Sequence, residues 1–400
     1  MMLHELPYPA AVAGHICLDI IPVIHREQWT MLNRITPGKL VEIGHAVLAT
    51  GGAVANTGLA LHRLGVPTRL MGKIGDDRFG EAILSIIREQ DASFALTEGM
   101  IVSPGEASSY SIVLSAPHTD RMFLHCTGAN DTFVAEDVTD AALSEAGLLH
   151  LGYPPLMRKM YEHGGRELTM LMKRAKEAGV TTSLDLAKPE PDSDAGQADW
   201  VDILQQVLPY TDLFLPSIEE IMYMLRREQF EQYQAKNDLV SYMNPQLLKE
   251  LSEQLLAMGA AVVVLKLGPF GLYMRTTCDE ERLAEAGRYS PLELSAWAGK
   301  ELYIPCFQVE VAGTTGAGDC TIAGFLAGWM QQLSPEKTLI CAVGTGACNV
   351  EQPDALTGIQ PWESICARIA AGWKQYDTGM HLEGFEARMH EHAIVWHRTR

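Results

Sequence analysis

The chain has 400 residues, 47% hydrophobic and 20% charged, with 35 glycines and 8 cysteines. Its 31 basic and 50 acidic residues leave a formal charge of −19, which excludes a general binder of nucleic acid or of anionic membrane surfaces. No run approaches the roughly 18 to 20 uninterrupted apolar residues of a membrane span, the opening MMLHELPYPA has no basic stretch before an apolar core, and the cysteines form no Cys-x-x-Cys pair that would suggest bound zinc; a cytoplasmic protein with reduced thiols is expected.

Short apolar strands alternate with amphipathic helices, the pattern of an α/β fold with a mainly parallel central sheet flanked by helices. In chain order the pattern predicts a strand over 10–17, a helix over 53–64 stopped by Gly65, a strand over 69–74 and a helix over 79–90. A strand over 148–152, a helix over 167–178 and strands over 181–186 and 213–215 follow. AVVVLKL (261–267) is the clearest buried strand, and helices over 319–332 and 335–350 are rich in Ala, Gly and Cys. Two segments, 20–48 and 108–126, carry short alternating stretches suited to antiparallel strands with one wet face; together they predict a small β lid. The polar stretches 226–244 and 276–300 read as surface insertions.

Chemistry concentrates in VAGTTGAGDCTIAGFLAGWM (311–330). A turn of small residues opening a helix presents free backbone N–H groups at the positive end of the helix dipole, an arrangement that holds phosphate oxygens. No Lys-Ser or Lys-Thr follows the glycines, so this is not a Walker A loop. Asp319 follows instead, a carboxylate beside an anion hole of Gly316, Ala317 and Gly318. Alone, such a turn is as readily a capped helix. A second constellation favours a site: Asp19 is expected at the end of the first strand, with Gly51, Gly52 and Asn56 at the start of the 53–64 helix. Ligands of open parallel sheets sit at such carboxyl ends, and Asp and Asn suit pairs of neighbouring hydroxyls.

The segments GGAVANTGLALHRLGVPTRLMGKIGDDRFG (51–80) and TTGAGDCTIAGF (314–325) resemble the two signatures of the PfkB-type carbohydrate kinases, the ribokinase-like family. RMFLHCTGAN (121–130), PSIEE (216–220), KLGPFG (266–271) and the small-residue helix around 344–349 follow in the family's order. The resemblance implies a single ribokinase-like kinase domain over 1–400 that uses ATP and Mg²⁺ to phosphorylate a sugar or nucleoside hydroxyl under a β lid. It implies Asp319 as catalytic base, Gly316, Ala317 and Gly318 as anion hole, and Asp19, Gly51, Gly52 and Asn56 as substrate contacts. Ser217, Lys266, Gly268 and Gly271 match the nucleotide side, and Glu220 matches the residue that organises Mg²⁺ through water. The chain departs from the pattern at Gly313, where the family has an Asp that helps hold an activating monovalent cation, and at Ser217, where it has Asn. An Asp in place of Gly313 would be resisted if that glycine needs positive φ.

Other candidates have two readings each. Asp185, in SLDLAKPEP, suits either a place near Mg²⁺ or phosphate or the start of a turn before Pro189. Arg121 and His125 alternate on a lid strand and read first as its wet face. Histidines 381, 390, 392 and 397 lack helical or Cys pairing and do not read as a metal site. Cys320 reads as a packed thiol, and the methionines of IMYMLRR (221–227) as a core stripe. A neutral acceptor is expected, because Arg121 is the one cation near the lid. The lid's open strand edges suit a homodimer. A nucleoside kinase and a non-catalytic sugar or nucleotide binder on the same fold are the alternatives.

Overall fold

The computed structural model describes residues 5–25, 28–29, 36–91, 95–115, 122–235, 244–377, 379–380 and 382–399. Strands for the most part buried on both faces build its large sheet, as parallel strands covered by helices require. They are β1 (Ala10–Gly14), β4 (Thr68–Gly75), β5 (Ile101–Ser103), β8 (Leu148–Gly152), β9 (Thr181–Leu184), β10 (Leu213–Phe214) and β11 (Val262–Lys266). These seven lie parallel in the order β5-β4-β1-β8-β9-β10-β11. Beyond β11 the sheet turns antiparallel through β12 (Leu272–Thr276), β13 (Glu301–Ile304), β15 (Ala393–Arg398) and β14 (Phe385–His390).

Successive residues of a strand point to opposite faces, so the sheet carries two cores. Val12, Leu70, Val262 and Val264 pack with helices α1 (Ala53–Arg63), α2 (Arg78–Arg88), α5 (Ala317–Met330) and α6 (Pro335–Val350). Ala13, Leu149, Leu151, Val263 and Leu265 pack on the other side with α3 (Arg158–Glu177) and α4 (Ile218–Leu225). The expected helix over 167–178 is the second part of α3, which is non-helical from Glu162 to Gly165. No helix among the described residues is long and apolar enough to cross a membrane.

The expected strand over 10–17 is two strands. The chain breaks at Gly14, φ +120°, where a Cβ would stand 2.4 Å from the carbonyl oxygen of Gly152. β2 (Cys17–Pro22) then leaves the main sheet and joins β3 (Ala46–Gly51), β6 (Tyr110–Leu114) and β7 (Met122–Cys126) in a four-stranded lid, order β3-β2-β6-β7. Asp19 therefore stands on the lid, not at the end of a main-sheet strand. The lid is antiparallel within each of its two segments, as expected, but β2 and β6, which come from different segments, pair in parallel.

The stretch 276–300 folds back onto the body: Leu283, Tyr289 and Trp297 are buried, and the Trp297 ring meets Trp329 of α5 edge-on at 4.6 Å. In the stretch 226–244 a helix, Arg227–Ala235, buries Phe230; residues 236–243 lie outside the described residues.

Candidate active site

The carboxyl ends of β1, β8, β9 and β11 deliver Gly14, Tyr153, Asp185 and Lys266 to one edge of the sheet, as a parallel arrangement must. Asp319 meets them from the first turn of α5, whose N-cap residue Gly316 is left-handed at φ +70°. Its carboxylate is buried. The Tyr153 hydroxyl lies 2.7 and 2.8 Å from its two oxygens, Asn56 Nδ2 donates to Oδ2 at 3.0 Å, and Thr57 Oγ1 donates to Oδ1 at 3.4 Å. Burial raises the Asp319 pKa; the Lys266 charge and the hydrogen bonds from Tyr153, Asn56 and Thr57 oppose this without cancelling it.

Behind Asp319 lies a charged cluster. Lys266 Nζ bonds Asp185 Oδ1 at 2.7 Å, while Asp185 Oδ2 is buried with no hydrogen-bond partner. Glu220 closes a capping box on α4: its Oε2 accepts from Ser217 N at 2.6 Å and its own N–H donates to Ser217 Oγ at 3.2 Å. Burial raises Asp185 and Glu220, with Lys266 pulling both back. Burial alone would lower Lys266, but Asp185, Glu220 and Asp319 together hold its ammonium charged, above its ordinary pKa.

Two cavities meet at Asp319. The smaller, about 620 Å³, is lined by Asp185, Ser217, Glu220, Lys266, Gly268, Phe270 and the Gly316–Gly318 turn. The larger, about 1700 Å³, lies under the lid and is lined by His15, Asp19, Gly52, Asn56, Ser111, His125 and Gly313. Tyr153, Lys188, Thr314, Gly316 and Asp319 line both. Gly51 and Gly271 line neither. A Cβ on Gly51 would stand 2.4 Å from Asp19 Oδ2, so this glycine lets the carboxylate lie flat against the turn. Gly271 caps the loop after β11 at φ +102°.

The under-lid cavity carries neutral hydrogen-bonding groups. His15 is pushed down to about 3 by burial, with His125 adding to the effect, so it is neutral at physiological pH. Its Nε2 lies 3.3 Å from His125 Nε2, and His125 Nδ1 lies 2.9 Å from Ser111 Oγ. Asn56 Oδ1 is buried without a hydrogen-bond partner. Arg121 lies outside the described residues.

Sequence reasoning missed Tyr153, Thr57 and His15. Thr57 and His15 sit inside stretches already singled out, whereas Tyr153 belongs to no motif. Its one sign is a Gly-Tyr-Pro-Pro run closing a buried strand, where Tyr153 takes φ +63°, uncommon for a bulky residue.

A profile of pfkB family carbohydrate kinases matches residues 11–362. The chain belongs to this family. As a PfkB member it is a carbohydrate kinase, a phosphotransferase with an alcohol acceptor. It is 22% identical to the 2-dehydro-3-deoxygluconokinase of Thermoproteus tenax over 81% of this chain and 86% of that one. The ribokinase of Arabidopsis thaliana, solved with ribose and ATP, superposes with a TM-score of 0.66 at 18% identity, covering 90% of this chain and 98% of that one. The ATP-bound fructokinase of Xylella fastidiosa also superposes with a TM-score of 0.66, at 19% identity and the same coverage. These likenesses bear out the ribokinase-like fold and the family reading made from the two signatures.

Proposed function

We propose that this PfkB kinase transfers the γ-phosphoryl group of ATP to a hydroxyl of a neutral sugar, with Asp319 as general base. The observation that carries the reading is the place of Asp319 where the two cavities meet, next to the Gly316–Gly318 turn that opens α5. ATP would occupy the smaller cavity, between Lys266 and the Gly268–Phe270 loop, with its γ-phosphate at the amides of Gly316, Ala317 and Gly318. Those N–H groups and the Lys266 ammonium would offset charge on the transferring group. The acceptor would lie under the lid, where Asp19 and the unpartnered Oδ1 of Asn56 can accept from its hydroxyls and Ser111 and His125 can donate or accept.

Asp319, made more basic by burial, takes the proton from the attacking hydroxyl, which must replace one of the donors now on the carboxylate. Hard oxygen donors suit Mg²⁺, and the orphaned Oδ2 of Asp185 together with Glu220 fits such an ion. Mg²⁺ would supply charge neutralisation on the phosphates. No basic cluster for a phosphorylated acceptor lines the under-lid cavity among the described residues; Lys188 is its one cation.

The test is an ADP-release screen over pentoses, hexoses, sugar acids and nucleosides, with Asp319→Asn alongside. Wild-type protein is expected to turn over one neutral sugar. Asp319→Asn keeps shape but cannot take the proton, so kcat should fall roughly 10²-fold or more with ATP binding retained. Activity within a few-fold of wild type in that variant removes Asp319 from the role. Stoichiometric sugar binding without turnover in the wild type would instead support a non-catalytic binder.

A further inference from the structure

The β14–β15 hairpin lies beyond the 11–362 segment that matches the family, and extends the large sheet past β13. Its inner face rests near the start of α6. There His390 and His397 bring their imidazoles together, Nε2 to Nε2 at 3.0 Å, with ring centroids 5.1 Å apart. Glu336, in the first turn of α6, adds a carboxylate oxygen, and the three donor atoms lie within 4.8 Å of one another. His397 and Glu336 are each only 8% exposed. The same helix turn already grips the hairpin through Lys337 Nζ, 2.5 Å from Glu391 Oε1.

Two imidazole nitrogens at 3.0 Å either share one proton or hold one ion. A tetrahedral ion with bonds of ~2.0–2.1 Å places its donors ~3.3 Å apart, so the histidine pair would open by only a few tenths of an ångström. Two imidazoles and one carboxylate are the donor set of a borderline transition metal; Mg²⁺ and Ca²⁺ prefer all-oxygen sites.

We propose that Glu336, His390 and His397 form a Zn²⁺ site that staples the hairpin to the first turn of α6, with the fourth position left to water. The site stands apart from the two cavities and from phosphoryl transfer, so it is structural.

The full chain, stripped with chelator and then dialysed against Zn²⁺ alone, is expected to retain one equivalent by elemental analysis and to melt at a higher temperature. In the His390→Gln/His397→Gln variant the Zn²⁺-induced rise should vanish, while turnover with Mg²⁺ and ATP in chelator stays at the level of the stripped wild type. Glu336→Gln, a milder change, should weaken Zn²⁺ roughly 10-fold or more. A second three-donor group, His15, Cys17 and His125, lies under the lid, so Cys17→Ser runs in parallel. The proposal is overturned if the wild type retains no Zn²⁺, or if Zn²⁺ is lost from Cys17→Ser but not from the hairpin variant. Unchanged Zn²⁺ affinity in Glu336→Gln would remove the carboxylate from the site.

Discussion

The Asp319 carboxylate is surrounded by donors from two elements, Tyr153 after β8 and Asn56 and Thr57 on α1. Hydrogen bonds to an ionised carboxylate favour the charged form, so these donors hold down a pKa that burial raises. Tyr153→Phe removes the shortest of them. The Asp319 pKa should rise further, and because the base must be ionised to act, the acid limb of kcat/KM should move to higher pH while the ATP KM stays put. A pH–rate profile checks this; an unmoved limb would mean that Tyr153 only packs. The Gly-Ala-Gly-Asp turn was legible because it comes with a second constellation at Asp19 and Gly51 to Asn56; alone it reads as readily as a capped helix. Tyr153 was not, because a single aromatic after a buried strand usually belongs to the core. At Gly313 the structure decides the condition left open in the sequence. Its φ is not in the left-handed region, but a Cβ there would stand 2.8 Å from Pro353 Cα and 2.9 Å from Pro353 O. Resistance to a side chain comes from the facing backbone and not from torsion. Gly313→Asp should therefore displace the Pro353 loop and lower activity equally in K⁺ and in a large inert cation at matched ionic strength, without creating K⁺ stimulation.

At the scale of elements, α5 and α6 decide where Asp319 sits. Their small residues let the two backbones approach closely: a Cβ on Gly324 would stand 2.5 Å from Thr345 Oγ1 and 2.9 Å from Cys341 O. Gly324→Val forces the helices apart. Overpacking of this kind costs about 1–3 kcal/mol, and a shift of α5 also moves its first turn relative to the acceptor, so kcat should drop by more than the loss of folded protein explains. Thermal unfolding and kinetics on the same sample separate the two effects; a stability loss with unchanged kcat would show that α5 tilts about a fixed N-terminus. Helices and buried strands were the legible part of the fold, because each repeats one periodicity over many residues. The lid was legible as strands but not in its joining. Its central β2–β6 pairing links residues about 90 positions apart, and no local pattern specifies such a partner. The break at Gly14 was hidden because the strands on either side of it are both apolar.

On the scale of the whole molecule, the chain carries a formal −19 and gathers three carboxylates, the buried Asp185 and Asp319 and the half-buried Glu220, around one ammonium, Lys266. Burial raises all three above their ordinary values, and Lys266 only partly reverses this. A carboxyl whose folded pKa lies above its unfolded pKa binds more protons in the folded state. Its contribution to stability is fully present below the unfolded value, about 3.9 for Asp, and is lost as pH rises through the folded value. At neutral pH the site therefore works against folding, a strain that function retains. Asp319→Asn removes one of the three titrating groups. Relative to wild type, without nucleotide or divalent ion, the variant should gain melting temperature as pH is raised above the unfolded carboxyl's value of about 3.9, and then level off once the wild-type carboxyl is fully ionised. Paired unfolding curves across that range give the answer. A difference independent of pH would mean that folded Asp319 titrates like an ordinary carboxylate, and the basicity assigned to it in proton transfer would have to come from the bound substrates instead.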